Sequence, residues 1–472
     1  MSSFYVENFG CRATQADGAA IEQQFRERGL SRAERPGRAD YVILNTCAVT
    51  AAAEQDARAS IRRIRRQNPD CQIVITGCYA QRAPEEVAAL PGVARVIGNS
   101  HKHALAKIAL APPHEGMPSA TFVPVSELGS VSDSDSRGTA EIFVSNIFAH
   151  TELLAAPVFD AANERTRPNL KIQDGCNNRC SFCIIPSLRG SSRSLPVDDV
   201  LREVNHLVAA GYREVVLSGI NLGRWGRDLS REAAEEDAPS RFEDLIGLIL
   251  DRTSIQKLRI SSVEPMDWSD SLIRLVAESP RIAKHVHVPM QSGSDSVLRR
   301  MHRKYRPWHY REKIEKIRGA MPTAAIGADV MAGFPGETDT EFEETCRMIE
   351  DLPFTYLHVF TYSARPGTPA ATMQNQVPVR VARDRNQVLR ELAAEKKQVF
   401  IRSFVDRELE AITLNVTSRD SDGSWTEALT DNYLKMKLSG NHAPNQWLQA
   451  RVNGVEGGEL RGDAHLIEKS CA

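Results

Sequence analysis

The chain contains no apolar run long enough to cross a bilayer. Its first residues, Met1-Ser2-Ser3-Phe4-Tyr5-Val6-Glu7, show no basic segment followed by an apolar one, so nothing there reads as a secretory leader. Net charge is nearly absent: 59 Lys and Arg stand against 61 Asp and Glu, leaving −2. No global positive field therefore announces a nucleic-acid partner, and any basic surface must be local. Internal repeats are missing too, which excludes solenoids and propellers. What remains is a globular composition, 42% apolar and 25% charged over 472 residues, long enough for about two to four domains. A cytoplasmic, reducing setting without a membrane is the expectation.

Cysteine is the informative residue, since six of the nine fall into two sets of three. One set is contiguous: Cys176-Asn177-Asn178-Arg179-Cys180-Ser181-Phe182-Cys183. Clustered cysteines in a reducing setting argue for metal rather than disulfides. Three thiolates on one short loop can hold three irons of a [4Fe–4S] cube, leaving the fourth iron for a ligand that is not protein. Zinc is the alternative, but a closed structural zinc needs four ligands, and no neighbouring cysteine or histidine supplies the fourth. Phe182, just before the last cysteine, is expected to stack beside an adenine.

The second set emerges from the strand pattern. Phe4–Asn8, Tyr41–Leu44 and Gln72–Thr76 read as strands separated by helical stretches, which implies a parallel sheet flanked by helices. Cys11, Cys47 and Cys78 each lie just past one of those strands, on the sheet edge where ligands bind. They are expected to converge as ligands of a second cluster, although buried free cysteine is also a common core residue. Cys71, Cys346 and Cys471 have no such setting and read as ordinary thiols.

Further along, Ala111-Pro112-Pro113-His114 and Gly129–Ser136 have linker composition, with Ile142–Phe148 after them able to pair as a short strand. From Asn169 to about Phe400 six strands alternate with helices, the pattern of a partial α/β barrel. The last stretch breaks into short strands, as in a small β-barrel akin to oligonucleotide-binding folds. The expected boundaries are 1–110, a partly ordered linker 111–165, the barrel 166–399, and the β-barrel 400–470.

Loops after the barrel strands carry small and polar residues suited to a cofactor: Ser218 and Gly219, Ser262 and Glu264, and Gln291-Ser292-Gly293. Glu264 can accept hydrogen bonds from ribose hydroxyls. Arg193 can hold a carboxylate or phosphate, while Arg189 reads equally well as a solvated loop residue. Arg58, Arg62, Arg63, Arg65 and Arg66 crowd one helix and favour a phosphate-contacting patch. The terminal β-barrel holds eight Lys/Arg against eleven Asp/Glu from Ile401 on, so charge alone does not make it an RNA binder. Tyr433, Lys435 and Lys437 are its candidates to stack and clamp.

Taken together, these motifs resemble the radical S-adenosylmethionine (SAM) methylthiotransferases almost end to end. The resemblance rests on the cysteine loop, Gly10-Cys11, Asn45-Thr46-Cys47, Gly77-Cys78-Tyr79-Ala80-Gln81, Gln291-Ser292-Gly293, Gly333–Thr338 and Tyr362–Thr368. Lys171–Cys176 and Leu222–Leu229 look most like the threonylcarbamoyladenosine branch. The isopentenyladenosine branch usually has Arg or Glu where this chain has Asp174. Thr14 departs from the family, which commonly has Asn there. The resemblance implies a Rossmann/flavodoxin-like domain with three cysteines, a partial (β/α)6 radical SAM barrel, and a TRAM β-barrel that binds tRNA. It implies two [4Fe–4S] clusters and SAM, the anticodon stem-loop of tRNA as partner, and a one-electron donor such as a flavodoxin or ferredoxin. The sulfur donor is left open. SAM would break to a 5′-deoxyadenosyl radical that takes hydrogen from C2 of a modified adenosine, and a methylthio group built at Cys11, Cys47 and Cys78 would join C2. No side chain is required as general base. The rival readings are the same reaction on isopentenyladenosine tRNA or on a ribosomal-protein aspartate, and a non-enzymatic iron–sulfur RNA-binding protein.

Overall fold

A computed structural model describes residues 2–112, 140–150, 166–229, 241–420 and 423–465. They divide into two compact units, Met1–His150 and Thr151–Ala472. The Gly129–Ser136 linker segment and Cys471 lie outside the described residues. Among those described, no helix is long and apolar enough to cross a membrane.

The first unit begins with β1 (Ser3–Asn8), α1 (Arg12–Arg26), the two-residue β2 (Ser31–Arg32) and β3 (Tyr41–Thr46). It continues through α2 (Ala51–Gln67), β4 (Gln72–Gly77), the short helices α3 (Cys78–Arg82) and α4 (Pro84–Ala88), and β5 (Val93–Gly98). Helix α5 (Leu105–Leu110) and β6 (Glu141–Phe143) complete it. The strands form one sheet in the order β2-β1-β3-β4-β5-β6, parallel at every pairing. Val42, Ile43, Leu44, Ile73, Val74 and Ile75 are buried, as expected of strands covered on both faces. The order is flavodoxin-like, and its direction reverses between β1 and β3, where such sheets bind ligands. Strand β5 had escaped the sequence reading. Ile142 and Phe143 do pair, on β5, which ties that stretch of the expected linker to this sheet.

The second unit opens with β7 (Asn169–Lys171), β8 (Gln173–Asp174), α6 (Ile185–Arg189), β9 (Arg193–Ser194) and α7 (Val197–Ala209). Next come β10 (Glu214–Ser218), α8 (Phe242–Arg252), β11 (Lys257–Ile260), α9 (Asp270–Glu278) and β12 (His285–His287). Helices α10 (Asp295–Arg300) and α11 (Pro307–Ala320) lead to β13 (Ala325–Ala332), α12 (Asp339–Asp351), β14 (Tyr356–Thr361) and the long α13 (Val379–Arg402). Strands β7, β10 and β11 form one parallel sheet, and β12, β13 and β14 another. Isolated bridges at Leu258–Ile282 and Ser262–His287 join them, giving a six-stranded partial barrel. Alternate strand residues (Val215, Leu217, Leu258, Val286, Ile326, Val330) pack into one core with helix residues such as Val204, Ile249 and Ile314. By the two-residue period of a strand, Lys171, Glu214, Arg259, His285, His287 and Asp329 line the opposite, interior face. That lining is polar.

Five strands close the C-terminal barrel: β15 (Glu408–Asp420), β16 (Gly423–Thr430), β17 (Lys435–Ser439), β18 (Trp447–Glu456) and β19 (Glu459–His465). It is fastened to the partial barrel by Lys257 Nζ to Glu410 Oε2 at 2.7 Å and Arg259 Nη1 to the Asp431 carbonyl at 3.0 Å. Tyr433 corrects an expectation. Its ring lies 4.4 Å from that of His285 and under Arg259, so it seals this seam instead of presenting a stacking face. Lys435 pairs with Glu427 at 3.0 Å, and Lys437 lies 4.7 Å over Trp425.

Candidate functional site

In the first unit, three neighbouring strands deliver Cys11, Cys47 and Cys78 to one sheet edge, as their sequence positions predict. Gly10 makes the approach possible. It sits at φ +104°, and a Cβ there would come 2.8 Å from Cys47 Cβ. Cys11 is exposed, whereas Cys47 and Cys78 are buried. Polar groups meet the sulfurs: Thr14 Oγ1 at 3.5 Å from Cys11, the Val49 amide at 3.5 Å from Cys47, and Asn99 Nδ2 at 3.7 Å from Cys78. The departure at Thr14 thus keeps a polar contact with the cysteine. Beneath lies a buried network that the sequence did not reveal. Lys102 Nζ meets Asp17 Oδ2 at 2.9 Å and Asn45 Oδ1 at 3.2 Å, and Asn45 Nδ2 donates to Asn8 and to the Thr14 carbonyl. The arginines of α2 are largely engaged within this unit. Arg58 pairs with Glu86, Arg63 with Glu7, and Arg65 with the Pro69 carbonyl, which leaves Arg62 and Arg66 as the exposed remainder of the expected patch.

In the second unit the cysteine loop follows β8. Asp174 anchors its start by accepting from the Gly175 amide at 2.8 Å and from Arg189 Nη1 at 2.9 and 3.0 Å, with Lys171 Nζ at 3.0 Å. Arg189 is 3% exposed, so it is a buried anchor and not a solvated loop residue. Gly175, at φ +70°, turns the chain where a Cβ would meet the Ser191 carbonyl at 2.0 Å. The middle of the loop is clamped from afar: the Ser181 amide and hydroxyl donate to the Met301 and Arg300 carbonyls, and its own carbonyl accepts from Ala370.

Three donors converge on the sulfurs of this loop. The Asn178 amide and Asn221 Nδ2 lie 3.4 and 3.7 Å from Cys176 Sγ, and Arg303 Nη1 lies 3.2 Å from Cys180 Sγ. Burial pushes the Cys176 thiol up, and pushes Cys183 up to about 12, helped by Cys180 and Cys176 beside it. Such thiols become thiolates only when a cation replaces the proton.

The cofactor loops divide into two groups. Ser218 Oγ and Asn221 Oδ1 are buried without a hydrogen-bond partner, and Asn221 reaches the Cys176 sulfur, so a small polar ligand beside the cluster would satisfy both. Gly219, between them, packs against Gln173. Glu264 is paired with Arg303 and lines a cleft with Asn178, Cys180 and Tyr305. Ser262 Oγ contacts His287 Nδ1 at 3.0 Å. Arg193 Nη2 donates to the Arg189 carbonyl at 2.9 Å. Gln291 takes φ +64° and bridges to Val330. Ser292 and Gly293 instead turn to α12, where Thr345 Oγ1 engages both at 3.1 and 3.0 Å. These contacts shape the loop. Phe182 packs edge-on against Phe334, with centroids 6.5 Å apart. Arg303 was missed by the sequence reading, because it lies 123 residues from Cys180 on a segment with no motif of its own.

Comparison with known proteins follows the same division of the chain. Residues 170–349 match the Radical SAM superfamily, which uses SAM and a [4Fe–4S] cluster, and residues 3–98 match Uncharacterized protein family UPF0004. The threonylcarbamoyladenosine tRNA methylthiotransferase MtaB of Bacillus subtilis (strain 168) is 35% identical, over 93% of this chain and 91% of its own. The tRNA-2-methylthio-N(6)-dimethylallyladenosine synthase of Thermobifida fusca (strain YX) is 32% identical, over 100% of this chain and 87% of its own. Among solved structures, the radical SAM methyltransferase TsrM of Kitasatospora setae matches with TM-score 0.50 and 15% identity, over 82% of this chain and 84% of that one. That similarity concerns the fold.

Proposed function

The chain belongs to the radical SAM methylthiotransferase family, and from that premise we propose that it adds a methylthio group to C2 of N6-threonylcarbamoyladenosine at position 37 of tRNA. The observation that carries the reading is the loop of Cys176, Cys180 and Cys183, with donors aimed at its sulfurs and the unsatisfied Ser218 and Asn221 oxygens beside it. The branch is supported by near-full-length relatives of that name, such as the one in Bacillus subtilis.

Bound SAM and iron–sulfur clusters supply the one-electron chemistry that side chains cannot. This chain's residues do the rest. Cys176, Cys180 and Cys183 hold one cluster, and Cys11, Cys47 and Cys78 hold a second. Arg303 and Asn221 offset negative charge on the sulfurs through N–H donors. Ser218 and Asn221 accept from the SAM ammonium, and Glu264, oriented by Arg303, accepts from its ribose. An electron carrier of the flavodoxin or ferredoxin kind serves the first cluster, and a cytoplasmic setting fits these needs.

The test gives reconstituted protein, SAM, reductant and sulfide to tRNA bearing either threonylcarbamoyladenosine or isopentenyladenosine, with nucleosides read by mass spectrometry. A methylthio adduct confined to the threonylcarbamoyl nucleoside is expected. Reaction of the isopentenyl nucleoside alone would overturn the branch, and no adduct on either would overturn the substrate.

A further inference from the structure

The interior face of the partial barrel carries a cluster that the cysteine chemistry does not use. His287 on β12, Asp329 on β13 and His358 on β14 present ligand atoms that all lie within 4.8 Å of one another. Backbone register places them. Asp329 and His358 are direct partners across β13 and β14, and His287 faces Gly327, one pleat earlier on the central strand. His287 Nε2 lies 3.4 Å from Asp329 Oδ1, and His358 Nδ1 lies 3.3 Å from the same oxygen.

A carboxylate shared by two imidazoles would ordinarily make two hydrogen bonds of about 2.7–3.2 Å. Both separations here are longer than that, and His287 Nε2 is buried on a side chain only 9% exposed. Two donors bound to one tetrahedral ion at about 2.0–2.1 Å stand about 3.3–3.4 Å apart. The observed separations match that figure. The other ring nitrogen, His287 Nδ1, is held by Ser262 Oγ at 3.0 Å, the kind of outer contact that orients an imidazole ligand. We propose that His287, Asp329 and His358 bind a first-row divalent cation such as zinc, which takes two imidazoles and one carboxylate with water in the fourth position. The ion ties the edge strand β14 to β13 and β12. His358, 56% exposed, leaves the solvent side to water or another oxygen donor.

The experiment uses the full chain with its clusters reconstituted, dialysed against micromolar Zn2+ and desalted. Zinc and iron are then counted by mass spectrometry. One zinc per chain is expected in addition to the iron, with a higher thermal midpoint than the zinc-free sample. Asp329→Asn, which preserves shape, and His358→Ala, at an exposed position, should each weaken zinc binding about tenfold or more. Iron content and cluster absorbance should stay unchanged in both. A wild-type chain that retains no zinc overturns the proposal. So does zinc that persists undiminished in both variants, since it would then sit on stray thiols such as Cys71 or Cys346.

Discussion

Cys11, Cys47 and Cys78 stand at the ends of three adjacent parallel strands, while Cys176, Cys180 and Cys183 share one loop of eight residues. The first arrangement takes its rigidity from sheet register, so each cysteine needs little besides its strand and a close-packed glycine. The second has no such frame. It is held by Asp174 and Arg189 at its start and by carbonyls of residues 300 and 301 at its middle. Among the described contacts, Thr14, the Val49 amide and Asn99 lie against the sulfurs of the first triad, and a buried arginine lies against Cys180 of the second. Burial pulls the Arg303 pKa down, but Tyr305, Glu264 and Cys180 outweigh it and hold the group above its ordinary value, so the cation persists. A sheet-built site and a loop-built site therefore divide the labour of positioning between backbone and distant side chains.

The largest effect should come from cutting each triad once. Cys180→Ala is expected to abolish SAM cleavage and to remove about half of the iron. Cys47→Ala should remove a similar share of iron and all methylthio product, yet leave release of 5′-deoxyadenosine. Equal loss of deoxyadenosine in both would erase the distinction between the triads.

A smaller contrast concerns the thiols before metal binds. In cluster-free protein at pH 8, iodoacetamide should label exposed Cys11 early and Cys183 much later. With its value pushed up to about 12 by burial, Cys183 exists as thiolate at only about one part in ten thousand at that pH. Its labelling should accelerate as pH rises. Peptide mass spectrometry reads the order, and early modification of Cys183 would contradict the burial argument.

The smallest expected effect tests the arginine. Arg303→Lys keeps the charge but cannot serve both Cys180 and Glu264, so stability should fall by about 1–2 kcal/mol. The potential of the second triad's cluster should shift while the other stays put, as measured by redox titration with electron paramagnetic resonance. An equal shift at both clusters, or none at either, would show that the cation does not distinguish them.

Much of this was legible in one dimension. The loop cysteines announced themselves by spacing, and the strand-end cysteines by recurring after apolar runs, because parallel strands put their carboxyl ends on one edge. Misreadings occurred where a side chain's partner lay far along the chain. Arg189 read equally well as an anion contact or a solvated residue until Asp174 claimed it, and Tyr433 was a candidate to stack on RNA until His285 and Arg259 covered it. Ser292 and Gly293 looked like cofactor contacts until α12 supplied Thr345.

Local sequence by itself determined the two cysteine triads, the alternation of strand and helix, and the family, since these depend on residue type, short spacing and period. Only the tertiary structure decided which charges are buried together, which donors reach each sulfur, and that His287, Asp329 and His358 meet on one face. Those outcomes depend on strand order and register, and burial rewards a polar group only when its partner arrives in space.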